Sequence, residues 1–298
     1  MSGTVFDIGY RNYTGPREGR WRGRRAVFKD GVRIALGIGR GGRAKILPWF
    51  FIFVMSFIAT IMALVAGAVD RMQGPGAAAE AGLPSHGDFY GIASIIVFVF
   101  AAIVAPELLC RDRREGTINL YLVRPITSVD YLASRWAAFL SVTLGALWLP
   151  QFILFLGLCA GDPLPADYFA KHWLDIPKFL LAGVAMALYA STLAMLTASF
   201  TTRRAYASVF LVGLFAVTTP FTAGLSQEIG GNAGGWISMF NLTNIPVHVN
   251  DVIFGEASEL TESAPARIFG SARLVGWWAL WTAGSGLWLW RRYRRFTP

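Results

Sequence analysis

Six stretches of this chain are apolar over a length that can cross a bilayer. They run over about 48–69, 89–105, 136–159, 178–199, 207–225 and 274–290. A hydrocarbon core about 30 Å thick takes about 20 residues of helix to cross. Lipid offers the backbone no hydrogen-bond partner, so runs of this length are read as helices that satisfy their own N–H and C=O groups. The second and last runs are short. They depend on interfacial aromatics, Tyr90 for one and Trp288 and Trp290 for the other. No Asp, Glu, Arg or His lies inside the six, and Lys178 stands at the edge of the fourth. The expected fold class is therefore all-α: a polytopic membrane protein with six transmembrane helices.

Charge supplies the orientation. The chain is 54% hydrophobic and only 15% charged, against about 25% charged for a soluble domain. Of its 27 Lys and Arg, 22 fall on one side of the six runs and 5 on the other. Basic residues collect on the cytoplasmic side, so both termini are expected there. The net charge of +9 then reports topology and anionic lipid, and a nucleic-acid partner is not expected. Cys110 and Cys159 map to opposite ends of their spans, too far apart for a disulfide.

Residues 1–47 are expected to form a basic arm; they are rich in bases and broken by glycine, which is not the pattern of a cleavable signal peptide. Within it Val27, Gly31, Ile34, Ala35 and Ile38 recur at helical spacing, with Arg22, Lys29, Arg33 and Arg40 opposite. That is the pattern of an amphipathic helix lying in the inner headgroup layer. Gly37–Gly42 matches the G-x-G-x-x-G pattern, but no strand precedes it and a membrane span follows, so dinucleotide binding is rejected. Residues 48–298 are the six-helix transmembrane domain. Its last outer loop, 226–273, is too apolar to float in water, and short helices that dip into the outer leaflet or cap the bundle are expected.

Catalytic constellations are missing from the sequence. There is no G-x-x-x-x-G-K-[ST] loop, so no ATP site is expected, and no G-x-S-x-G, H-E-x-x-H or C-x-x-C occurs. His86, His172 and His248 map to separate outer loops, which does not favour a metal site. Ion-coupled carriers need ionisable groups at membrane depth, and the six runs offer none. The energy for any transport is expected to come from elsewhere.

One stretch is out of character. Residues 106–126, PELLCRDRREGTINLYLVRPI, set four arginines and three acids between two apolar runs. Pro106 and Glu107 are expected to end the second span, Gly116 to permit a turn, and Thr127 or Ser128 to cap the next helix. Topology needs only bases, yet this loop mixes both signs and carries Leu120, Leu122 and Val123. A cytoplasmic element over 106–135 that docks on another protein accounts for both features.

These residues resemble a family. RDRREGTINLYLVRPITSVDYLASRW is similar to the loop between the second and third spans of ABC-2 type transporter permeases. The shared pattern is an acidic-basic cluster, then Glu115-Gly116-Thr117, Leu120 and Leu122, Arg124-Pro125-Ile126, and Tyr131-Leu132 before the next span. The basic arm, the six spans and the apolar outer segment before the last span are also similar to that family's plan. The E-A-A-x-x-x-G loop of importer permeases does not occur.

The resemblance implies the permease subunit of an exporter in a bacterial inner membrane, paired with a second, identical or related permease. Cytoplasmic ABC ATPase subunits would bind ATP and Mg, and this chain would hold no cofactor. Glu107, Arg111, Asp112, Arg113, Arg114, Glu115, Gly116, Thr117, Leu120, Arg124 and Pro125 would form the ATPase-coupling element. Trp236, Phe240, Asn241 and Phe254 would form an outer gate. The cargo implied is an amphiphile. The competing classes are an ion-driven carrier or channel, marked by gradient-driven flux through the chain alone, and an integral membrane enzyme, marked by lipid turnover without nucleotide.

Overall fold

The computed structural model describes residues 19–39, 41–118, 126–255 and 265–295 of the 298. Among them there is helix and no strand. The helices are α1 (Arg20–Ala35), α2 (Gly42–Gln73), α3 (Ala77–Glu80), α4 (His86–Arg114), α5 (Ser128–Gly161), α6 (Pro165–His172), α7 (Asp175–Ala198), α8 (Arg204–Ile229), α9 (Gly231–Ser238), α10 (Ile245–Phe254) and α11 (Pro265–Arg294). Five of them, α2, α4, α5, α7 and α8, are long and apolar enough to cross a membrane. That composition marks a multi-pass membrane protein.

Residues 274–290, the sixth expected crossing, are helical within α11 but do not count among those five. Five of these seventeen positions are tryptophan, and glycine, serine and threonine take five more. Tryptophan favours the interface over the hydrocarbon, which makes this the least oily of the long helices. The chain bends before it, at Gly270, where φ is +69°.

Two capping boxes start the helices on either side of the charged stretch. Ser85 and Asp88 close the start of α4, and Thr127 and Asp130 the start of α5. In each the hydroxyl accepts a backbone N–H and the acid three residues on accepts one in return. Of the two caps expected at 127–128, Thr127 is the one used.

Packing follows side-chain size. In lipid, helices approach where residues are small, because no hydrophobic force drives them together. Ala63 and Gly67 on α2 meet Gly157 and Gly161 on α5. A methyl on Gly161 would lie 2.6 Å from the Cα of Gly67, and one on Gly157 would lie 2.5 Å from the Cβ of Ala63. The two backbones therefore touch along one seam. Helices α4 and α7 fill the centre, with Phe98, Phe100, Leu108, Phe179, Met186 and Met195 buried between them and their neighbours. Helices α2 and α8 keep large apolar side chains exposed, among them Phe53, Leu64, Val209 and Val217, as lipid-facing helices do.

Helix α1 covers Arg20–Ala35, and its small-residue face is occupied by protein. Val27, Gly31 and Ala35 are buried, and a methyl at Gly31 would sit 2.7 Å from the Cβ of Ala138 on α5. Ile34 is half-buried and Ile38 is exposed.

The outer segment also folds back. Helix α10 packs on α4, α7 and α11, burying Ile245, His248, Val249 and Asn250.

Candidate functional site at the charged end of the bundle

Helix α4 does not stop at Pro106. It runs eight residues further, to Arg114. A proline removes one N–H from the ladder and forfeits a bond to the carbonyl four residues back, and neighbouring helices can hold such a site in place. The charged residues from Glu107 to Arg114 therefore lie in the closing turns of α4. Gly116, at φ +69°, ends it, in the left-handed position that glycine commonly takes just past a helix.

The acids of the wedge find partners inside the chain. Asp112 is buried, and its Oδ2 accepts from Tyr131 Oη at 2.5 Å and from Arg135 Nη2 at 2.7 Å. Arg135 has 0% of its side chain exposed. Its guanidinium lies over the Tyr131 ring, 5.5 Å from the centroid. Its Nη1 stands 2.8 Å from Asp30 Oδ2 on α1, a charge contact without the alignment of a hydrogen bond. Glu107 pairs with Arg204 at the start of α8. Glu115 pairs with Arg111 one turn back, at 3.2 Å. The mixed signs that pointed to a partner protein are thus accounted for within the fold.

The bases divide into structural and exposed ones. Arg113 donates to the carbonyl oxygens of Ser199 and Thr201, and Arg292 Nε donates to that of Ser199 at 3.0 Å. Both cations sit at the C-terminal end of α7, where unpaired carbonyls carry partial negative charge. Arg20 and Arg24 on α1 both donate to the Asp130 carboxylate. The bond to Asp130 raises the Arg20 guanidinium above its ordinary value. Arg114 is 66% exposed and Arg111 and Glu115 nearly half so. A cleft of about 330 Å³ opens here between α4 and the start of α8, with Arg111, Arg114, Glu115 and Arg204 on its walls.

The structure thus joins α1, α4, α5, α7, α8 and α11 at one end. Of the eleven coupling residues expected, Glu107, Arg111, Asp112, Arg113, Arg114, Glu115, Gly116 and Thr117 lie together there. Leu120, Arg124 and Pro125 lie outside the described residues. Thr117 donates its hydroxyl to the carbonyl of Asp112 at 3.2 Å. Asp30, Asp130, Tyr131 and Arg135 carry as much of the network as the wedge does. Sequence reasoning counted Arg135 only as a loop base. The Thr127-x-x-Asp130 box beside it was the available signal that this turn is built.

At the other end, the four residues expected to form a gate differ in burial. Trp236 and Phe240 are half exposed, Phe254 is half-buried, and Asn241 is buried. The Asn241 Oδ1 accepts from the Thr243 hydroxyl at 2.7 Å and the Thr219 hydroxyl at 3.3 Å, so it shapes the turn between α9 and α10. The Phe240 ring stands edge-on to Trp277, whose indole donates to the carbonyl of Met239.

The three histidines also part. His86 begins α4 with Nδ1 2.7 Å from Gln151 Oε1, and His172 pairs with Asp175. His248, expected in an outer loop, is buried on α10 with Nδ1 3.9 Å from Asp251. Beside it Asn250 is 1% exposed, and its amide has no protein hydrogen-bond partner among the described residues. Among the described residues no group of three His, Cys, Asp or Glu could hold a metal.

A scan against protein-family models gives no match, and neither does a search of curated proteins.

Proposed function

We propose that this chain is the membrane-spanning permease subunit of an ATP-driven ABC exporter in a bacterial inner membrane. In this reading α11 is the sixth crossing and both termini are cytoplasmic. ATP and magnesium are held by a separate ATPase, two permeases form the pathway, and the cargo is an amphiphile. One observation carries the reading: the two helices flanking residues 115–127 are locked at their ends to each other, to α1 and to α8 by ion pairs, and to α7 by the hydrogen bond from Arg113 to the Ser199 carbonyl. A short element on such a base passes force into the helices without bending its own footing. Uncompensated flexibility there would dissipate a partner's motion.

The exposed charge left for a partner is Arg111, Arg114 and Glu115. Reversing Arg114 and Glu115 together is expected to reduce co-purification of the ATPase at least tenfold, while the chain inserts and unfolds as the parent does. Arg113 is left out of that variant because its bonds to Ser199 and Thr201 are structural. Quantitative pull-down from native membranes reads the result, and unchanged ATPase recovery sinks the coupling assignment.

Helix α10 is proposed as the outer gate. Its unpartnered Asn250 amide is a burial cost, of about 1–3 kcal/mol, that a moving element can relieve by meeting water or cargo. Asn250→Leu is therefore expected to raise thermal stability while lowering export, measured by unfolding in detergent and by flux in proteoliposomes. The second reading, an ion-driven carrier, is favoured by His248, 6% exposed beside Asp251. Flux that follows a proton gradient without nucleotide would select it.

A further inference from the structure

One face of α11 has the profile of a phospholipid. Gly284, Leu287, Trp288, Arg291, Arg292 and Arg295 follow one another at helical spacing and line a cleft of about 670 Å³. The run spans about 16 Å at 1.5 Å per residue. Gly284 has open space where a side chain would stand. Leu287 and Trp288 are 57% and 59% exposed, and the three arginines close the far end. Among the described residues no acid lines the cleft. The base is firm: Arg292 is fixed by its bond to Ser199 and lies over the Phe200 ring, whose edge meets Trp288.

We propose that this face binds an anionic phospholipid. Arg291 and Arg295 hold the phosphodiester, Trp288 sits at headgroup depth, and one acyl chain lies along Leu287 toward Gly284. Arginine forks match phosphate oxygens, and basic pockets at the ends of membrane helices take anionic headgroups. A second copy of the chain fits less well. A two-fold axis along the membrane normal would set arginines against arginines. The site needs only a membrane-embedded chain, so it stands or falls apart from the ATPase partner.

The test is native mass spectrometry of the full chain extracted from nanodiscs of equimolar phosphatidylglycerol and phosphatidylcholine. The parent is expected to retain phosphatidylglycerol selectively. Arg291→Gln with Arg295→Gln is expected to lower that retention about thirtyfold, from the attraction contributed by two arginines. Gly284→Leu, which fills the apolar half and leaves the charge, is expected to lower it as well. Arg111→Gln with Arg114→Gln, equal in charge but on α4, is expected to leave it unchanged. Equal retention of phosphatidylcholine, loss of lipid in the α4 variant to the same degree, or displacement by inorganic phosphate would each overturn the proposal. So would disulfide-trapped dimers from Leu287→Cys at the expense of bound lipid.

Discussion

Asp112→Ala is expected to destabilise the folded chain by about 3 kcal/mol. The reason is what it leaves behind. Arg135 is wholly buried, and Asp112 supplies its one aligned carboxylate bond. Removing one member of a buried ion pair strands the other charge in a medium that cannot solvate it. Tyr131 would lose its acceptor in the same step. Asp30 cannot compensate, because its carboxylate is half exposed and screened by water. Asp30→Ala should accordingly cost less than about 1 kcal/mol. The double change Asp112→Leu with Arg135→Met removes both charges and should recover most of the loss, since apolar replacements of buried pairs are often neutral. Thermal unfolding in detergent, followed by tryptophan fluorescence, ranks the four chains. An Asp112→Ala chain as stable as the parent would show that the network does not anchor α4 to α5.

The second large effect is expected at Gly161. Leucine there should destabilise the chain by about 3 kcal/mol and loosen α2 from α5. The atom in the way is the Cα of Gly67, 2.6 Å from where a methyl would begin. Backbone cannot swing aside as a side chain can, so the two helices must part along their whole seam. Gly145→Leu is the control. It lies on the same helix with nothing within 4 Å, and should be neutral or slightly stabilising because glycine is a poor helix former. Equal loss in both variants would mean that bulk on α5, and not the close approach, sets the cost.

These two positions also show what could be read from the sequence and what could not. Gly157 and Gly161 stand out on inspection only once α2 is known to face α5, because a small residue in a membrane helix is common and its partner is not encoded locally. Helical runs and the Thr127 cap were legible, since both depend on periodicity and neighbours a few residues apart. Arg135 was not. It reads as one more inner-side base until α1 and α4 arrive with Asp30 and Asp112, more than 100 and about 20 residues away. The same long-range pairing explains the misjudged wedge. Taken alone, Pro106 and Glu107 look like a helix end, and the mixed charges after them like a surface for a partner protein. They are the closing turns of α4 because Arg204, Arg135 and Tyr131 receive them. Likewise His248 looked like a loop residue because the fold-back of α10 onto α7 and α11 is a tertiary event.

The central claim is that the charged end of this bundle is a seat for a separate ATPase. The most direct measurement is affinity purification of the chain from native membranes, with ATP hydrolysis assayed in the eluate of the parent and of the Arg114 and Glu115 reversal. A co-eluting ATPase that is present with the parent and depleted at least tenfold with the variant is the result expected. Parent chain that elutes folded without ATP hydrolysis, yet moves cargo in liposomes, would contradict it.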